Sequence, residues 1–488
     1  MTPPLILAID QGTTGTTVLL LDDKMQVCGK GYRELAQSYP APGLVEHDPE
    51  GIWQSVLGAM ADARAQAPEG TIAAIGVTNQ RETTLLWERS TGRPVAPAIV
   101  WQDRRTVDHC ESLRAAGKEP LFQSRTGLRL DPYFSGTKIA WLLANIPGLA
   151  SRARDGDIAF GTVDSFLVWR LSAGQSHITD ASNAARTLLF DLHLLDWNAD
   201  LCRLLDVPMA ILPRVCPSAG ALAMTRDVPG IPDGTPITGI AGDQQAALYG
   251  QGCYAPGDAK CTFGTGSFLL MNVGNKPVLS QHRLLGTVAW RTNDTTYALE
   301  GSAFVSGALI QWLRDGLGIV QSAAQVESMA GSVADTGGVT IVPALAGLGA
   351  PHWRPEARGT ISGISRATTA AHLARAALEA MALQNVDLVR AMEADAGHSI
   401  TALRVDGGAV ENNLLMQMQA DFLGADIIRP AMVESTALGA AELAAFGVGL
   451  GNSAGQSGDR AATTFHPRIS TTERERVVTR WREAVAKC

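Results

Sequence analysis

The chain has 488 residues, of which 46% are hydrophobic and 18% are charged. This length is more than one hydrophobic core usually organises, so we expect two domains, at 1–250 and 251–488. A net charge of -8, with no block of lysine or arginine, argues against a nucleic-acid partner. No apolar stretch is long enough to span a membrane, the N-terminus lacks the basic region of a secretory signal, and seven scattered cysteines form no CxxC pair, so we expect a cytoplasmic protein with reduced thiols.

The N-terminal segment predicts a β-hairpin with a Gly/Thr turn. Residues 5–10 form a short apolar run that ends in Asp10, residues 11–15 interrupt it, and residues 16–21 are again aliphatic and β-branched. The N–H groups and hydroxyls of such a turn can donate to phosphate oxygens, and Asp10 at the strand end can hold magnesium. The alternative is an ordinary tight hairpin with an exposed aspartate.

A charged pair interrupts the strands that follow. Strands are predicted at 72–78 and 83–87, and helices at 106–116 and 138–146. Arg81 and Glu82 lie between the two strands, where the arginine can donate to one hydroxyl of a substrate and the glutamate can accept from another. A surface ion pair is the alternative.

A segment rich in Pro, Gly and Ser at 208–234 leads to Gly242-Asp243-Gln244-Gln245, a turn that opens a helix. A carboxylate beside an alcohol substrate can take its proton, so Asp243 is our candidate for the catalytic base. An aspartate at this position is also typical of a helix N-cap, which is the alternative role.

The second half repeats the N-terminal pattern. Residues 260–273 read as strand, Gly/Thr turn and strand, with Gly264-Thr265-Gly266-Ser267 as the turn. Two related loops from two domains can clasp one triphosphate. The sequence therefore predicts a phosphate site shared between the halves.

The C-terminal part is predicted to be mainly helical, with helices at 302–315, 369–396, 411–423 and 434–446 and a surface loop at 447–458. A strand at 403–406 ends in Asp406-Gly407-Gly408, and adjacent glycines permit close approach of adenine or ribose. The chain has no GxxxxGK[ST] loop and no GxGxxG between a strand and a helix, which argues against P-loop and dinucleotide-binding folds.

Together these segments resemble the glycerol kinases, within the carbohydrate-kinase family that shares the actin and hexokinase ATPase architecture. The matching strings cover nearly the whole chain and include AIDQGTT (8–14), GVTNQRETTLLWE (76–88), GIAGDQQAALYGQ (239–251), TFGTGSFLLMN (262–272) and LRVDGGAVENN (403–413). The resemblance implies an α/β fold of two actin/ribonuclease H-like domains, each a mixed sheet with flanking helices, and a cleft between them. It also implies ATP and Mg²⁺ as cofactors, glycerol as the acceptor, sn-glycerol 3-phosphate as the product, and a homo-oligomer, either dimer or tetramer.

The resemblance further implies roles for individual residues. Asp243 would be the catalytic base, and Asp10 and Asp243 would lie near magnesium. The residues implied to hold glycerol are Arg81, Glu82, Trp101, Tyr133, Asp243, Gln244 and Phe268. Those implied to contact the nucleotide are Thr13, Thr14, Gly15, Thr265, Gly307, Gln311, Gly408 and Asn412.

The chain departs from the family pattern at two places. Glycerol kinases usually carry an arginine three residues after the second threonine of DQGTT, close to the donor phosphates, where this chain has Thr17. The missing charge-assisted hydrogen bond is worth roughly 1.5–3 kcal/mol if nothing replaces it, so we expect weaker nucleotide affinity or turnover than is usual in the family. Segment 229–236 lacks the arginine of the loop that binds an inhibitory sugar bisphosphate in some members, so we expect no such regulation. The alternatives to a glycerol kinase are a kinase of another polyol or pentulose, and a weakly active nucleotide-binding regulatory paralogue.

Overall fold

Two mixed β-sheets organise the chain in this computed structural model, which describes residues 4–354, 356–432, 434–450 and 461–488. The strands are β1 (Leu5–Gln11), β2 (Gly15–Leu21), β3 (Val27–Glu34), β4 (Glu46–His47), β5 (Ile72–Asn79), β6 (Leu85–Glu88), β7 (Ala98–Ile99), β8 (Ile158–Gly161), β9 (Ile178–Asp180), β10 (Phe190–Asp191), β11 (Asp196–Trp197), β12 (Arg214–Cys216), β13 (Ala219–Met224), β14 (Pro236–Gly242), β15 (Ala259–Phe263), β16 (Ser267–Gly274), β17 (Leu285–Arg291), β18 (Thr295–Ala303), β19 (Thr340–Val342), β20 (Thr360–Ser362), β21 (Ala402–Asp406), β22 (Asp426–Pro430) and β23 (Ala462–Phe465). The helices are α1 (Pro49–Gln66), α2 (Val107–Ala115), α3 (Glu119–Thr126), α4 (Ser135–Asn145), α5 (Leu149–Arg154), α6 (Val163–Leu171), α7 (Ala181–Ala184), α8 (Ala199–Leu204), α9 (Asp243–Gly250), α10 (Gly307–Gln311), α11 (Ala323–Gly331), α12 (Ala370–Ala396), α13 (Asn413–Leu423), α14 (Ser435–Gly447) and α15 (Thr471–Lys487).

Both sheets contain the same arrangement of five strands. The first sheet includes the order β3-β2-β1-β5-β14, and the second includes β18-β16-β15-β21-β22. In each, the first three strands are antiparallel and the last two run parallel to the central one. The β1–β2 and β15–β16 hairpins therefore occupy equivalent places, which confirms the predicted repeat and the two-domain α/β class. We call the part built on the first sheet the first lobe and the part built on the second sheet the second lobe.

The central strand of the first sheet is apolar on both faces because helices cover both. Leu5, Leu7 and Ile9 pack in the core beneath α1, and Ile6 and Ala8 pack against alanines of α14. This alternation follows from the two-residue period of a strand. Helix α14 comes from the C-terminal half of the sequence, so that half also completes the core of the first lobe.

One predicted helix is wrong over its first part. The prediction placed a helix at 302–315, but β18 continues to Ala303, which pairs with Ser267 of β16. Helix α10 begins only at Gly307 and passes into a π-helical turn at Trp312–Gly316. Sheet pairing overrides local periodicity here, because β18 lies between β17 and β16 and pairing with these strands extends it to Ala303.

The other differences are shifts of element ends. The strand expected at 83–87 is β6, α4 starts three residues before the predicted 138, and the helix expected at 411–423 starts at Asn413 after the side chain of Asn412 caps it. The loop predicted at 447–458 falls largely on residues 451–460, which lie outside the described part of the chain.

Among the described residues, no helix is both long and apolar enough to cross a bilayer. All seven cysteines are described, and all are free thiols.

Candidate active site

A group of polar side chains lies at the edge of the first sheet where β5 and β14 end. These strands are parallel neighbours, and Asn79 pairs with Gly242, so the residues that follow each strand meet at the same edge. This brings together Arg81 and Asp243, which are 3.2 Å apart between Nε and Oδ1. We call Arg81, Glu82, Tyr133, Asp243 and Gln244 the polar cluster.

Arg81 is buried and fully engaged in this cluster. Its Nη1 lies 2.5 Å from Oε2 of Glu300, and its Nη2 donates to Oε1 of the same carboxylate at 3.1 Å. Nη2 also donates to the hydroxyl of Tyr133 at 3.2 Å, and Nη1 donates to Oε1 of Gln245 at 3.2 Å. The side chain is 2% exposed, so the alternative of a surface ion pair at Arg81 is wrong.

Glu82 is held in an unfavourable backbone conformation. Its φ is +60°, in the left-handed region that non-glycine residues rarely adopt. The surroundings fix it there, because its carbonyl accepts from Thr84 Oγ1 at 3.0 Å and from Ser135 Oγ at 2.9 Å. Its carboxylate accepts from Nε of Arg186 at 2.7 Å. Strain supported in this way is typical of binding and catalytic sites.

Asp243 is the first residue of α9 and does not cap it. Gly242 occupies the N-cap position, and the carboxylate of Asp243 accepts from the N–H of Gln244 at 2.6 Å. The N-cap alternative is therefore wrong. The side chain is 29% exposed, which gives it access to solvent that Arg81 and Glu82 lack. Burial raises the pKa of Asp243, and the positive charges of Arg81 and Lys260 act in the opposite direction.

Aromatic rings form one wall beside the polar cluster. The ring centroids of Trp101 and Tyr133 are 5.6 Å apart, and those of Trp101 and Phe268 are 6.3 Å apart. Trp101 also donates from Nε1 to the hydroxyl of Thr13 at 2.9 Å. The wall thus connects the polar cluster to the first Gly/Thr loop and to β16, which follows the second.

Asp10 lies near the cluster and has an unusual environment for a carboxylate. Burial, with the carboxylates of Asp243 and Glu434, raises the pKa of Asp10 to about 8. Two carboxylates that repel each other are stabilised by a cation, and Mg²⁺ usually takes one or two carboxylates together with phosphates and water. Across the described residues there is no group of three or more His, Cys, Asp or Glu side chains that fits a metal ion. If this site holds a cation, Asp10 and Asp243 are the carboxylates that could bind it, and its other ligands would come from a substrate.

The second Gly/Thr loop opens onto a cavity of about 440 Å³ in the second lobe. Five of the residues expected to contact a nucleotide line this cavity: Thr265, Gly307, Gln311, Gly408 and Asn412. Gly407 turns the chain here with φ +92°, and a side chain there would lie 2.5 Å from the carbonyl oxygen of Phe263. An added Cβ at Gly408 would meet nothing within 4 Å. The Asp-Gly-Gly segment thus leaves an open backbone surface beside the cavity.

The first loop is not part of this cavity. Every residue that lines the cavity belongs to the second lobe. Gly15 pairs with Glu34 in the first sheet, the carbonyl of Thr14 accepts from the N–H of Leu35, and the side chain of Thr13 contacts Trp101. Thr13, Thr14 and Gly15 therefore lie outside the cavity, on the side of the first lobe.

Three buried charged residues beside the cluster were not found from the sequence. Glu300 and Arg186 pair with Arg81 and Glu82, and the amino group of Lys260 donates to the side-chain oxygen of Gln244 and to Thr262. Glu300 and Lys260 stand within the otherwise mostly apolar strands β18 and β15. A lone charge in a buried strand was the available signal, since such a charge requires a partner.

Comparisons with known proteins identify the family of the chain. Sequence profiles of the FGGY family of carbohydrate kinases match residues 5–250 with its N-terminal domain and residues 259–448 with its C-terminal domain. The chain belongs to this family. A glycerol kinase of Alkalilimnicola ehrlichii is 56% identical over 485 residues, which cover 99% of this chain and 98% of the relative. A glycerol kinase of Aromatoleum aromaticum is 54% identical over 99% of this chain and 98% of its own.

Solved structures of FGGY kinases have the same fold. The crystal structure of Plasmodium falciparum glycerol kinase with ADP superposes with a TM-score of 0.95 at 33% identity, covering 100% of this chain and 98% of that one. A ligand-bound xylulose kinase from Lactobacillus acidophilus has a TM-score of 0.90 at 20% identity over 99% of this chain and 98% of its own, which shows the shared fold.

Proposed function

We propose that this FGGY kinase transfers the γ-phosphoryl group of ATP to glycerol and forms sn-glycerol 3-phosphate and ADP. The observation that carries the proposal is the polar cluster beside Trp101 and Phe268, next to an open carboxylate at Asp243. Glycerol has three hydroxyls on a short carbon chain, so donors and acceptors against an aromatic wall suit it. The two relatives named glycerol kinase, each matched over 98% of its own length, support the same acceptor.

Each residue of the site has a role in this proposal. Arg81, Tyr133 and Gln244 orient the hydroxyls of glycerol, Glu82 accepts from one of them, and Trp101 and Phe268 pack against its carbon atoms. Asp243 takes the proton of the terminal hydroxyl as that oxygen forms a bond to the γ-phosphorus. The bond from the γ-phosphorus to the β–γ bridging oxygen breaks in line with the new one, and ADP leaves.

The cofactors have sites on both lobes in this proposal. The cavity lined by Thr265, Gly307, Gln311, Gly408 and Asn412 holds the adenosine end of ATP, and the loop of Thr13, Thr14 and Gly15 meets the phosphates from the first lobe. Asp10 and Asp243 would hold Mg²⁺, which would supply positive charge beside the phosphate oxygens. The ADP of the Plasmodium falciparum structure supports this use of the fold.

Three further expectations belong to the same proposal. The family profiles end and resume at residues 250 and 259, which supports a domain boundary near 250. Free thiols and the use of ATP favour the cytoplasm. We expect a dimer or tetramer, which light scattering on the purified protein measures.

A steady-state assay of ADP release tests the function. We expect turnover with Mg-ATP and glycerol far above the rate with water alone, and a higher kcat/KM for glycerol than for xylulose, ribulose or erythritol. A higher kcat/KM for a pentulose than for glycerol would show that the pentulose is the substrate. ADP binding without turnover on any member of the panel would identify a regulatory paralogue and overturn the proposal.

A further inference from the structure

Glu300 reaches the polar cluster from the second lobe. It lies on β18 and is 1% exposed. Both carboxylate oxygens are used: Oε2 is 2.5 Å from Nη1 of Arg81, and Oε1 accepts from Nη2 of Arg81 at 3.1 Å and from Nη2 of Arg186 at 2.9 Å. One carboxylate therefore bridges two arginines of the first lobe.

This contact fixes the plane of the Arg81 guanidinium. A carboxylate that meets both terminal nitrogens of an arginine restrains its rotation as well as its position. With the Nη1–Nη2 edge bound to Glu300, the Nε of Arg81 stays at 3.2 Å from Asp243, and its Nη2 stays at 3.2 Å from the Tyr133 hydroxyl. Those two contacts are with residues proposed to bind glycerol.

Charge balance gives Glu300 a second effect. Arg81 and Arg186 are both buried and repel each other, and Glu300 lies between them. The two guanidinium groups outweigh burial and lower the pKa of Glu300 to about 2, so it remains ionised at neutral pH. Without that carboxylate, only Glu82 and the partly exposed Asp243 would be left to balance two buried arginines, and breaking a buried pair in this way is strongly destabilising.

We propose that Glu300 is a positioning residue for the acceptor site, which sets the orientation of Arg81 across the contact between the lobes and thereby the affinity for glycerol. The proposal rests on the proposed function. Glu300 does not itself contact glycerol or the reacting atoms. Its effect on catalysis passes through Arg81 and, by way of Arg186, through Glu82.

The experiment compares Glu300→Gln with a matched control. The amide keeps the shape and one acceptor but removes the charge and one of the two contacts with Arg81. We expect the glycerol KM to rise at least about tenfold, the size expected for loss of one such hydrogen bond, with little change in the ATP KM. The control is Glu379→Gln, which removes a buried glutamate of α12 that pairs with Arg375 on the same helix and with Arg480 on α15 and lies outside the polar cluster.

The outcomes separate the two proposals. Absence of glycerol phosphorylation by the wild type removes the proposed function. If the wild type is active, an unchanged glycerol KM in Glu300→Gln, or an equal change in Glu379→Gln, overturns the positioning role. Should Glu300→Gln fail to fold, Glu300→Asp preserves the charge but is one methylene too short to hold both nitrogens; a raised glycerol KM supports the role and a wild-type KM contradicts it.

Discussion

Asp243 and Arg81 restrain each other. Each of the three guanidinium nitrogens lies within 3.2 Å of an oxygen atom, and for Nε that atom is Oδ1 of Asp243. The same Oδ1 accepts from the N–H of Gln244, so both of these contacts of the carboxylate are made through one oxygen. In the proposed function, the ion pair therefore holds the base beside the arginine that orients glycerol.

Asp243→Asn tests this residue directly. The amide retains the shape but cannot accept the proton of the attacking hydroxyl, so we expect kcat to fall by about 10²–10⁴-fold. ADP binding, measured by calorimetry, is expected to be retained because the nucleotide cavity is built from second-lobe residues only. Wild-type turnover in this variant would show that another group removes the proton.

Thr17→Arg tests the departure from the family pattern. Thr17 lies directly across from Asp10 in the β1–β2 hairpin, and residues paired in this way project from the same face of a sheet. An arginine there can reach phosphates bound near Asp10, so we expect kcat/KM for ATP to rise by roughly tenfold or more, the equivalent of one charge-assisted hydrogen bond. The control is Thr17→Leu, which adds bulk without charge; an equal gain in both variants would exclude a phosphate contact.

At the scale of single residues, the sequence identifies site residues that follow a strand more readily than the distant residues that contact them. Arg81, Glu82, Asp243 and Gln244 sit in contiguous motifs, and parallel strands place such motifs at one edge. Glu300 lies 219 residues from Arg81 and 114 from Arg186, and no local pattern records a contact of that separation. Only the completed sheets bring them together.

Among the elements, α9 and α14 pack unusually closely. Helix α9 carries Asp243 and Gln244, and a Cβ added at Gly439 of α14 would lie 1.8 Å from the carbonyl oxygen of Ala246. The glycine therefore lets the backbones approach where any side chain would separate them. The sequence predicted α14 almost to its ends, but it gave no indication that this helix packs against the first sheet, because its hydrophobic residues surround the helix without a distinct face.

Gly439→Ala is expected to force these helices apart. Overpacking of this kind costs about 1–3 kcal/mol, so the thermal midpoint should fall, and kcat should fall with it because the start of α9 moves. The control is Gly331→Ala at the end of α11, where an added Cβ meets nothing within 4 Å. Differential scanning fluorimetry and the glycerol assay measure both variants; similar midpoints would show that the interface adapts.

In the whole molecule, the two lobes share one strand arrangement, but each contributes a different part of the proposed site. In the proposed function, the second lobe encloses the cavity for the nucleotide and the first carries the polar cluster. Phe268 and Glu300 extend from the second lobe to this cluster. The repeat of strand, Gly/Thr turn and strand was visible in the sequence because each hairpin is local. The relation between the lobes was not, since it depends on contacts between β18 and the residues that follow β5.

Hydrogen exchange with two ligands tests whether the first loop contacts the phosphates of a nucleotide that is bound in the cavity of the second lobe. Adenosine lacks phosphates, so we expect it to slow exchange only in second-lobe peptides that contain residues 264–266, 307–311 and 408–412. A non-hydrolysable ATP analogue with Mg²⁺ should protect the same peptides and also residues 10–15, because the first loop lies on the other lobe and meets only the phosphate end. Peptides from α15 serve as the internal control and should not change with either ligand. If the analogue leaves residues 10–15 unprotected while the second-lobe peptides respond, the triphosphate is held by one lobe alone.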